Sequence, residues 1–268
     1  MPIINLVYEA PTPRPELCFT ANTANSTVQL KKYWTPTEVT LETSTDWTTW
    51  NTYTFDTDIT LANIWDRVYF RNTSETDTLF TTNYGGSNSY RFIMTGSIAW
   101  SWDVSYLLNK NWTDTLGWNN IFAWLFNNCT SLTTPPELKF LTLTAHCYYA
   151  MFNGCTSLTR CPSIPATTLG DYCCYCMFYG CSNLETLPAL YSLDLKSNCY
   201  AWMFSHCSKI KISESQTWEY QTEYRIPITW TWTASWQTPL SDIFNTTWWT
   251  YTSNPIRNRT YYTSNTVV

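Results

Sequence analysis

Charged residues are scarce in this chain, and their scarcity narrows the classes of protein to which it can belong. Only 13% of the 268 residues are charged, about half the usual share, and the net charge is -5. No basic cluster extends beyond Lys31 and Lys32, so nucleic acid is not an expected partner. No apolar run approaches the roughly 20 residues of a membrane span, so membrane insertion is not expected either. The start of the chain lacks an export signal, which indicates use without Sec export or a signal already removed.

Histidine is nearly missing, and with it much of catalytic chemistry. The chain has 2 histidines, His146 and His206, and neither is arranged as a base beside a nucleophile. The carboxylates form no convergent pair, and no phosphate-binding loop or zinc-protease motif occurs. We therefore expect a protein that is not an enzyme and that holds no cofactor.

Glycine is the third deficit. The chain has 7 glycines and 16 tryptophans, whereas average usage of about 7% predicts roughly 19 glycines. Tryptophan stands where a turn would take glycine, as in Asp46-Trp47-Thr48 between two alternating runs. We interpret these residues as recoded UGA stop codons at glycine positions, namely Trp47, Trp65, Trp230, Trp232, Trp248 and Trp249. The alternative is a tryptophan-rich surface that stacks on sugars. Trp50, Trp124 and Trp202 are expected to be ordinary core aromatics.

What the chain does have is a repeat of 26 residues without a slip. Its columns include Phe126, Phe152, Phe178 and Phe204; Cys129, Cys155, Cys181 and Cys207; and Cys147, Cys173 and Cys199. A unit this small cannot bury its own apolar face, so we expect the units to stack around one continuous core. Each unit is predicted to form a short strand, a turn and one helix. Helical spacing places Leu169, Cys173 and Met177 on one face, and Gly154 or Gly180 would end the helix in the left-handed conformation.

The 11 cysteines allow three interpretations. The cluster Cys173-Cys174-x-Cys176 with Cys181 could bind zinc, because thiolates at short spacing are its preferred ligands. Neighbouring columns would stand close enough for disulfides, which is the second interpretation. Cys173 and Cys181 nevertheless belong to columns shared by units that lack Cys174 and Cys176. Packing of reduced thiols in the core is therefore favoured, and no metal site is predicted.

The segment S-L-T-x-C-P-S-I-P-A-T-T-L-G-D-Y-C, from Ser157 to Cys173, resembles the BspA-like (Treponema-type) leucine-rich repeat in proteins of gut bacteria and their phages. The stretches Tyr224–Leu240 and Ile256–Asn265 are also similar to those proteins, which carry Gly where Trp stands here. The resemblance covers about 96–268. It implies surface display, adhesion or attachment to a virion, and it implies no chemistry.

The N-terminal part differs in character from the repeats. Short runs with period-2 alternation, such as Thr27–Leu30 and Val68–Phe70, are separated by turn residues, which is typical of an antiparallel sandwich. We predict an immunoglobulin-like β-sandwich followed by an α/β leucine-rich-repeat solenoid. The predicted boundaries are an arm over 1–13, the sandwich over 14–95, a cap over 96–128, repeats over 129–212, and an insertion with a divergent terminal unit over 213–268.

A ligand would bind where the variable positions of the repeats lie side by side. On the strand face these are Thr133, Glu137, Arg160, Ser163 and Glu185. On the exposed helix face they are Tyr148, Tyr149, Tyr172, Tyr175 and Tyr179. The alternative is that the tyrosines only cover the core.

These patterns predict a non-enzymatic recognition or adhesion protein associated with a phage virion. The alternatives are a purely structural assembly or decoration protein of the virion, and an adhesin on the bacterial cell surface. The expected partners are other virion or cell-surface proteins, a host glycan or a receptor. The chain is also compatible with a homo-oligomer.

Overall fold

A computed structural model describes residues 17–35, 39–75, 80, 85–101, 103–109, 115–226, 229–230, 239–245, 248–249 and 260–268. The predicted arm over 1–13 lies outside these residues. Within them the regular structure consists of short strands and one 3-10 turn at Val104–Leu107, with no α-helix. The described part of the chain accordingly contains no helix that could cross a membrane.

The N-terminal part forms two sheets from nine strands, all paired antiparallel except β8 and β9. The strands are β1 (Leu17–Ala21), β2 (Ser26–Tyr33), β3 (Leu41–Ser44), β4 (Asn51–Thr52), β5 (Ile59–Leu61), β6 (Arg67–Asn72), β7 (Ser89–Thr95), β8 (Ile98–Ser101) and β9 (Leu132–Thr134). One sheet has the order β4-β3-β6-β1-β8-β9 and the other β5-β2-β7. The period-2 runs Thr27–Leu30 and Val68–Phe70 thus lie in β2 and β6.

Aromatic rings from both sheets form the core of this region. Phe19 of β1 lies 4.7 Å from Phe92 of β7 between ring centroids, and Phe70 of β6 lies 5.4 Å from Phe92. Edge-to-face contacts of this kind are favourable beyond the apolar area that they bury. Phe92 also stacks on Phe126 at 5.4 Å, so the aromatic core continues from the sheets into the repeats.

The predicted fold class, a separate immunoglobulin-like β-sandwich followed by an α/β solenoid with one helix per repeat, is wrong. The described residues form several small sheets, none of them closed, and no helix follows the strand segment of any described repeat. The larger N-terminal sheet is not self-contained, because β8 pairs in parallel with β9 of the first repeat. Parallel pairing to the repeats extends this sheet beyond the predicted sandwich.

The segments predicted as helices are ribbons of consecutive turns, which we call turn layers: 119–129, 145–155, 171–181 and 197–207. In each layer every second N–H bonds to a carbonyl three residues back, as Met177 does to Cys174 at 3.2 Å. In the first three layers the N–H groups between them bond to the next layer 25 residues on, as Phe152 does to Met177 at 2.9 Å. In an α-helix every N–H bonds to the carbonyl four residues back. A helix would therefore leave no N–H group to bond to a neighbouring layer.

Helical spacing misled the prediction because the turn layers repeat every four residues. In the third layer, left-handed φ angles fall at Tyr172 (55°), Cys176 (53°) and Gly180 (72°), a spacing that no α-helix tolerates. The buried pairs Cys173-Cys174 and Met177-Phe178 recur at the same interval. Four residues is close to one helical turn, so the apolar pattern alone does not distinguish the two structures.

The columns of the repeat do stack on one another. The rings of Phe126, Phe152, Phe178 and Phe204 follow each other at 5.4, 5.5 and 5.7 Å and lie within 7° of parallel. Phe244 extends the stack at 5.7 Å, because residues 239–245 form a last layer that accepts N–H bonds from 200–206. These residues lie in the stretch 213–268, where the sequence predicts a divergent terminal unit.

Eight further strands tie the C-terminal part to the repeats. They are β10 (Thr186–Leu187), β11 (Asp194–Leu195), β12 (Lys211–Ser213), β13 (Thr222–Arg225), β14 (Thr229–Trp230), β15 (Trp248–Trp249), β16 (Thr260–Thr263) and β17 (Thr266–Val267). The pairs β10-β17, β11-β14 and β12-β15 are parallel, and β16 lies antiparallel between β12 and β13. Strands β16 and β17, which follow each other in the chain but belong to different sheets and which we call the C-terminal strands, therefore pack on the third and fourth units.

Tryptophan does occupy left-handed positions. Trp47 has a φ of 69° and Trp65 of 74°, conformations that glycine adopts without steric cost. Trp230, Trp248 and Trp249 lie instead in strands, so the glycine argument does not extend to them, and Trp232 lies outside the described residues.

The expectation that Trp50, Trp124 and Trp202 are core aromatics is wrong. All three are half-buried surface residues. Trp124 and Trp202 also have left-handed φ angles of 66° and 59°.

Candidate functional site

The strand face of the repeats carries a groove of about 500 Å³, which we call the proline groove. It is lined by Thr133, Thr134, Pro135, Pro136, Glu137, Leu138, Lys139, Thr159, Arg160, Cys161, Pro162 and Ser163. Four of the five strand-face residues predicted from the sequence therefore lie together: Thr133, Glu137, Arg160 and Ser163. Prolines at 136 and 162 keep these segments out of long paired strands, which leaves the depression between them open.

A second groove of about 910 Å³ adjoins it and contains the fifth predicted residue, Glu185. This lysine groove is lined by Thr159, Arg160, Glu185, Thr186, Ser208, Lys209, Lys211, Ser264, Asn265 and Thr266. Thr159 and Arg160 line both grooves, so the two depressions meet at these residues.

Asn265 holds the wall of the lysine groove in place. Its side-chain amide donates to the carbonyls of Glu185 at 2.9 Å and Lys209 at 3.1 Å, and its oxygen accepts the Lys211 N–H at 2.7 Å. The turn that carries it joins β16 to β17. One amide thus links the C-terminal strands to two consecutive repeat units.

The charges of the two grooves are unevenly paired. Lys209 lies 2.6 Å from Glu185, and Lys211 lies 3.3 Å from Glu219. Lys139 lies 3.7 Å from Asp103, whose pKa is raised mainly by burial. Arg160 is exposed and has no hydrogen-bond or ion-pair partner among the described residues. Its guanidinium keeps five donors available at the junction of the two grooves.

Thr133 has a structural role beside its place in the groove. Its hydroxyl donates to the Ile98 carbonyl at 2.9 Å and accepts from the Asn22 amide at 3.1 Å. These bonds fix β9 against β8. Glu137, Ser163 and Glu185 are exposed, so they are accessible to a ligand.

Four of the five predicted tyrosines form a half-buried aromatic surface across the turn layers. Tyr149 stacks on Tyr175 with ring centroids 4.9 Å apart, and His146 stacks on Tyr172 at 5.1 Å. Tyr179 contacts His206 at 4.9 Å. Rings that stack on each other present edges rather than faces to solvent. A sugar therefore cannot stack on a ring face that a neighbouring ring already covers.

Tyr148, the fifth predicted tyrosine, is not on this surface. It is 1% exposed and packs in the core beside Phe122. Burial raises the pKa of its hydroxyl well above the usual range. The prediction of Tyr148 as a binding residue is therefore wrong, because a ligand on the surface cannot reach it.

Ten of the 11 cysteines are buried and Cys176 is half-buried, so the thiols pack in the core rather than form an open reactive centre. In each layer the thiol of one column donates to the phenylalanine carbonyl of the layer before: Cys155 to Phe126 at 3.0 Å, and Cys181 to Phe152 at 3.1 Å. Burial raises the pKa of Cys181 to about 12, which disfavours the thiolate required for metal binding or nucleophilic attack. The described residues contain no group of His, Cys, Asp and Glu side chains that could hold a metal ion.

Sequence reasoning missed Lys209, Lys211, Asn265 and Thr266. The two lysines lie close after the last cysteine column, so their phase in the repeat was a usable signal. Asn265 and Thr266 reach the groove because β17 pairs with β10. In this pairing Thr186 lies opposite Thr266, which is 80 positions further along the chain. No local pattern indicates such a pairing.

Comparison with known proteins adds no relative to these observations. No family model, no curated protein and no solved structure matches this chain.

Proposed function

We propose that this chain is a non-enzymatic recognition protein that binds its ligand along the two joined grooves of the strand face. The observation that carries the proposal is the meeting of the proline groove and the lysine groove at Thr159 and Arg160. Concave surfaces of repeat proteins are common binding sites, because each unit contributes equivalent exposed positions.

The remaining chemistry of the chain supports binding rather than catalysis. Burial raises the pKa of Cys129, Cys155 and Cys207, so these thiols remain protonated in neutral solution. His146 is packed against Tyr172, and desolvation lowers its pKa. A thiol that stays protonated is a poor nucleophile.

A binding screen with a groove-blocking variant tests this proposal. Thr159→Trp places a bulky ring where the two grooves meet, whereas Thr54→Trp is a matched control at an exposed position outside both grooves. We expect a glycan array or receptor-bearing cells to retain the wild-type chain and the control and to lose the Thr159→Trp variant. Equal binding of the two variants would contradict the proposal.

We further propose that the protein acts on the surface of a phage virion, with the bacterial cell surface as the alternative. Support comes from the resemblance of Ser157–Cys173 to BspA-like repeats of gut bacteria and their phages. Mass spectrometry of purified particles and of bacterial envelope fractions would distinguish the two locations. Absence of the chain from both would contradict the proposal.

A purely structural role in particle assembly is the second candidate, and one observation favours it. Trp34, Trp65 and Trp218 are 77%, 72% and 88% exposed, and large exposed apolar side chains are typical of protein contacts. Under this function the Thr159→Trp variant would support particle assembly normally, whereas substitution of the three tryptophans by serine would impair it.

A further inference from the structure

The charged side chains that line the two grooves include four cations and two anions. The cations are Lys139, Arg160, Lys209 and Lys211, and the anions are Glu137 and Glu185. Two more carboxylates, Asp103 and Glu219, pair with Lys139 and Lys211 from beside the grooves, so the lining cations do not make the whole surface positive.

The ion pairs leave Arg160 as the accessible cation. Each of the three lysines has a carboxylate within 4 Å, in Asp103, Glu185 or Glu219. Among the described residues Arg160 has no such carboxylate, and it stands where the grooves join. The planar guanidinium matches a carboxylate or sulfate with two parallel hydrogen bonds, which a lysine cannot do.

The other lining residues favour a ligand rich in hydroxyl groups. Exposed side-chain hydroxyls are supplied by Thr134, Thr159, Ser163, Ser264 and Thr266. Among the residues that the structure describes, none of those lining the two grooves is aromatic. A peptide with apolar side chains would find no ring to pack on there, and a neutral sugar would find no ring for stacking. Charge at Arg160 and hydrogen bonding by the hydroxyls are therefore the polar means of recognition, beside the apolar surface that Pro135, Pro136 and Pro162 supply.

From these observations we infer that the joined grooves bind an acidic polysaccharide, with a carboxylate or sulfate group on the Arg160 guanidinium and sugar hydroxyls on the threonine and serine side chains. The inference rests on the proposed function and adds the class of ligand. It assigns Arg160 as the residue that selects acidic over neutral sugars.

Titration of the full chain with four polymers tests the inference. Polygalacturonate supplies carboxylates, dextran sulfate supplies sulfates, dextran is the neutral sugar and polyglutamate is the acidic peptide. We expect at least one of the two acidic polysaccharides to bind, more weakly at high salt than at low salt. Dextran and polyglutamate are expected to bind at least ten times more weakly, and the stronger of the two acidic sugars identifies the anion.

Substitutions at Arg160 make the test specific. Arg160→Ala should weaken binding of the acidic polysaccharide roughly 10- to 100-fold, because a charge-assisted contact is lost, and Arg160→Lys should restore only part of it. Arg225→Ala is the matched control, since Arg225 is exposed, has no partner among the described residues and lines neither groove. It should bind as the wild type does.

Three results would overturn the inference: no binding of either acidic polysaccharide, equal binding of dextran or polyglutamate, or unchanged binding by Arg160→Ala. If a neutral glycan binds the wild type but not Thr159→Trp, the inference fails while the proposed function stands. If an acidic polysaccharide binds Thr159→Trp and the wild type equally, the grooves are not the site and both fail.

Discussion

At the scale of single residues, the column cysteines act as hydrogen-bond donors to the backbone. The phenylalanine carbonyl at position 152 accepts the Cys155 N–H at 3.1 Å within its own layer and the Cys181 thiol from the next layer at 3.1 Å. The sequence predicted buried cysteines correctly from their columns. It did not predict the donor role, because that bond depends on how closely two layers approach.

These buried thiols make stability sensitive to alkaline pH. The pKa of Cys161 and of Cys181 rises from 9.0 to about 12 on burial, so above pH 9 the unfolded chain loses the protons first. The free energy of unfolding should be constant below pH 9 as far as the thiols are concerned. It should fall by about 1.4 kcal/mol per pH unit for each such thiol between pH 9 and 12.

Urea unfolding at several pH values between 8 and 11 measures this slope. Cys181→Ala should reduce the slope above pH 9, whereas Ser182→Ala, a neighbouring change that removes no ionisable group, should leave it unaltered. A flat profile above pH 9 in the wild type would show that the thiols ionise as readily in the folded chain.

The left-handed tryptophans predict stabilisation by glycine. Trp65 has a φ of 74° and is 72% exposed, so Trp65→Gly removes steric strain and little packing. We expect a gain of about 1 kcal/mol in the free energy of unfolding. Trp218→Gly, at an equally exposed residue without a left-handed φ, should give no gain.

Thermal unfolding of the two variants compares these effects. The codon at position 65 is a separate check on recoding: UGA agrees with the hypothesis, and UGG at 47 and 65 contradicts it. Equal stability changes in the two variants would show that φ has no influence at position 65.

At the scale of elements, the C-terminal strands β16 and β17 separate what the sequence could predict from what it could not. The 26-residue period predicted the stacked columns, because identical phases recur along the chain. The turn layers were mistaken for helices, since burial of two residues in every four fits both structures. The pairing of β17 with β10 had no signal in the sequence, so Asn265 was absent from the predicted site.

Asn265→Ala should detach the C-terminal strands from the repeat units. The amide makes three hydrogen bonds to backbone groups of Glu185, Lys209 and Lys211, and we expect the free energy of unfolding to fall by about 2 to 3 kcal/mol. Asn183→Ala is the control, because its amide makes one such bond, to the Thr156 carbonyl at 2.8 Å, and should cost about 1 kcal/mol.

Hydrogen exchange at the amides of β17 is the second measurement for these variants. Protection of the Val268 amide, which directly follows β17 and donates to the Leu187 carbonyl at 2.8 Å, should be lost in Asn265→Ala and kept in Asn183→Ala. Equal protection in both variants would show that strand pairing alone holds the C-terminal strands on the repeat units.

At the scale of the whole molecule, the layers behave as interchangeable units. Each N–H bond between the first four layers joins residues 25 positions apart, and each column recurs every 26. Removing one full period preserves both the columns and the alternation of local and interlayer donors. Removing 25 residues instead exchanges the positions of the local and the interlayer N–H donors, so interlayer donors would face the core.

Deletion of residues 146–171 should therefore give a folded, less stable chain with a single unfolding transition, because Tyr172 then follows Ala145 in the phase of His146. Deletion of 146–170 should not fold. Circular dichroism and calorimetry of the two variants check this expectation. Similar unfolding of both would show that the layers do not depend on register.

The direction of the interlayer bonds has an electrostatic consequence. All of the N–H groups that leave a layer point toward the following layer, as at Tyr172, Cys174 and Cys176, and all the carbonyls that receive them point back. Peptide dipoles in a sheet largely cancel, whereas these add along the stacking axis. The positive end lies at the last layer, which contains Asp242, and the negative end lies at the first, where the Arg91 guanidinium bonds to Asn127 at 3.2 Å. The stack is thus polarised like a helix, with a counter-charge at each pole.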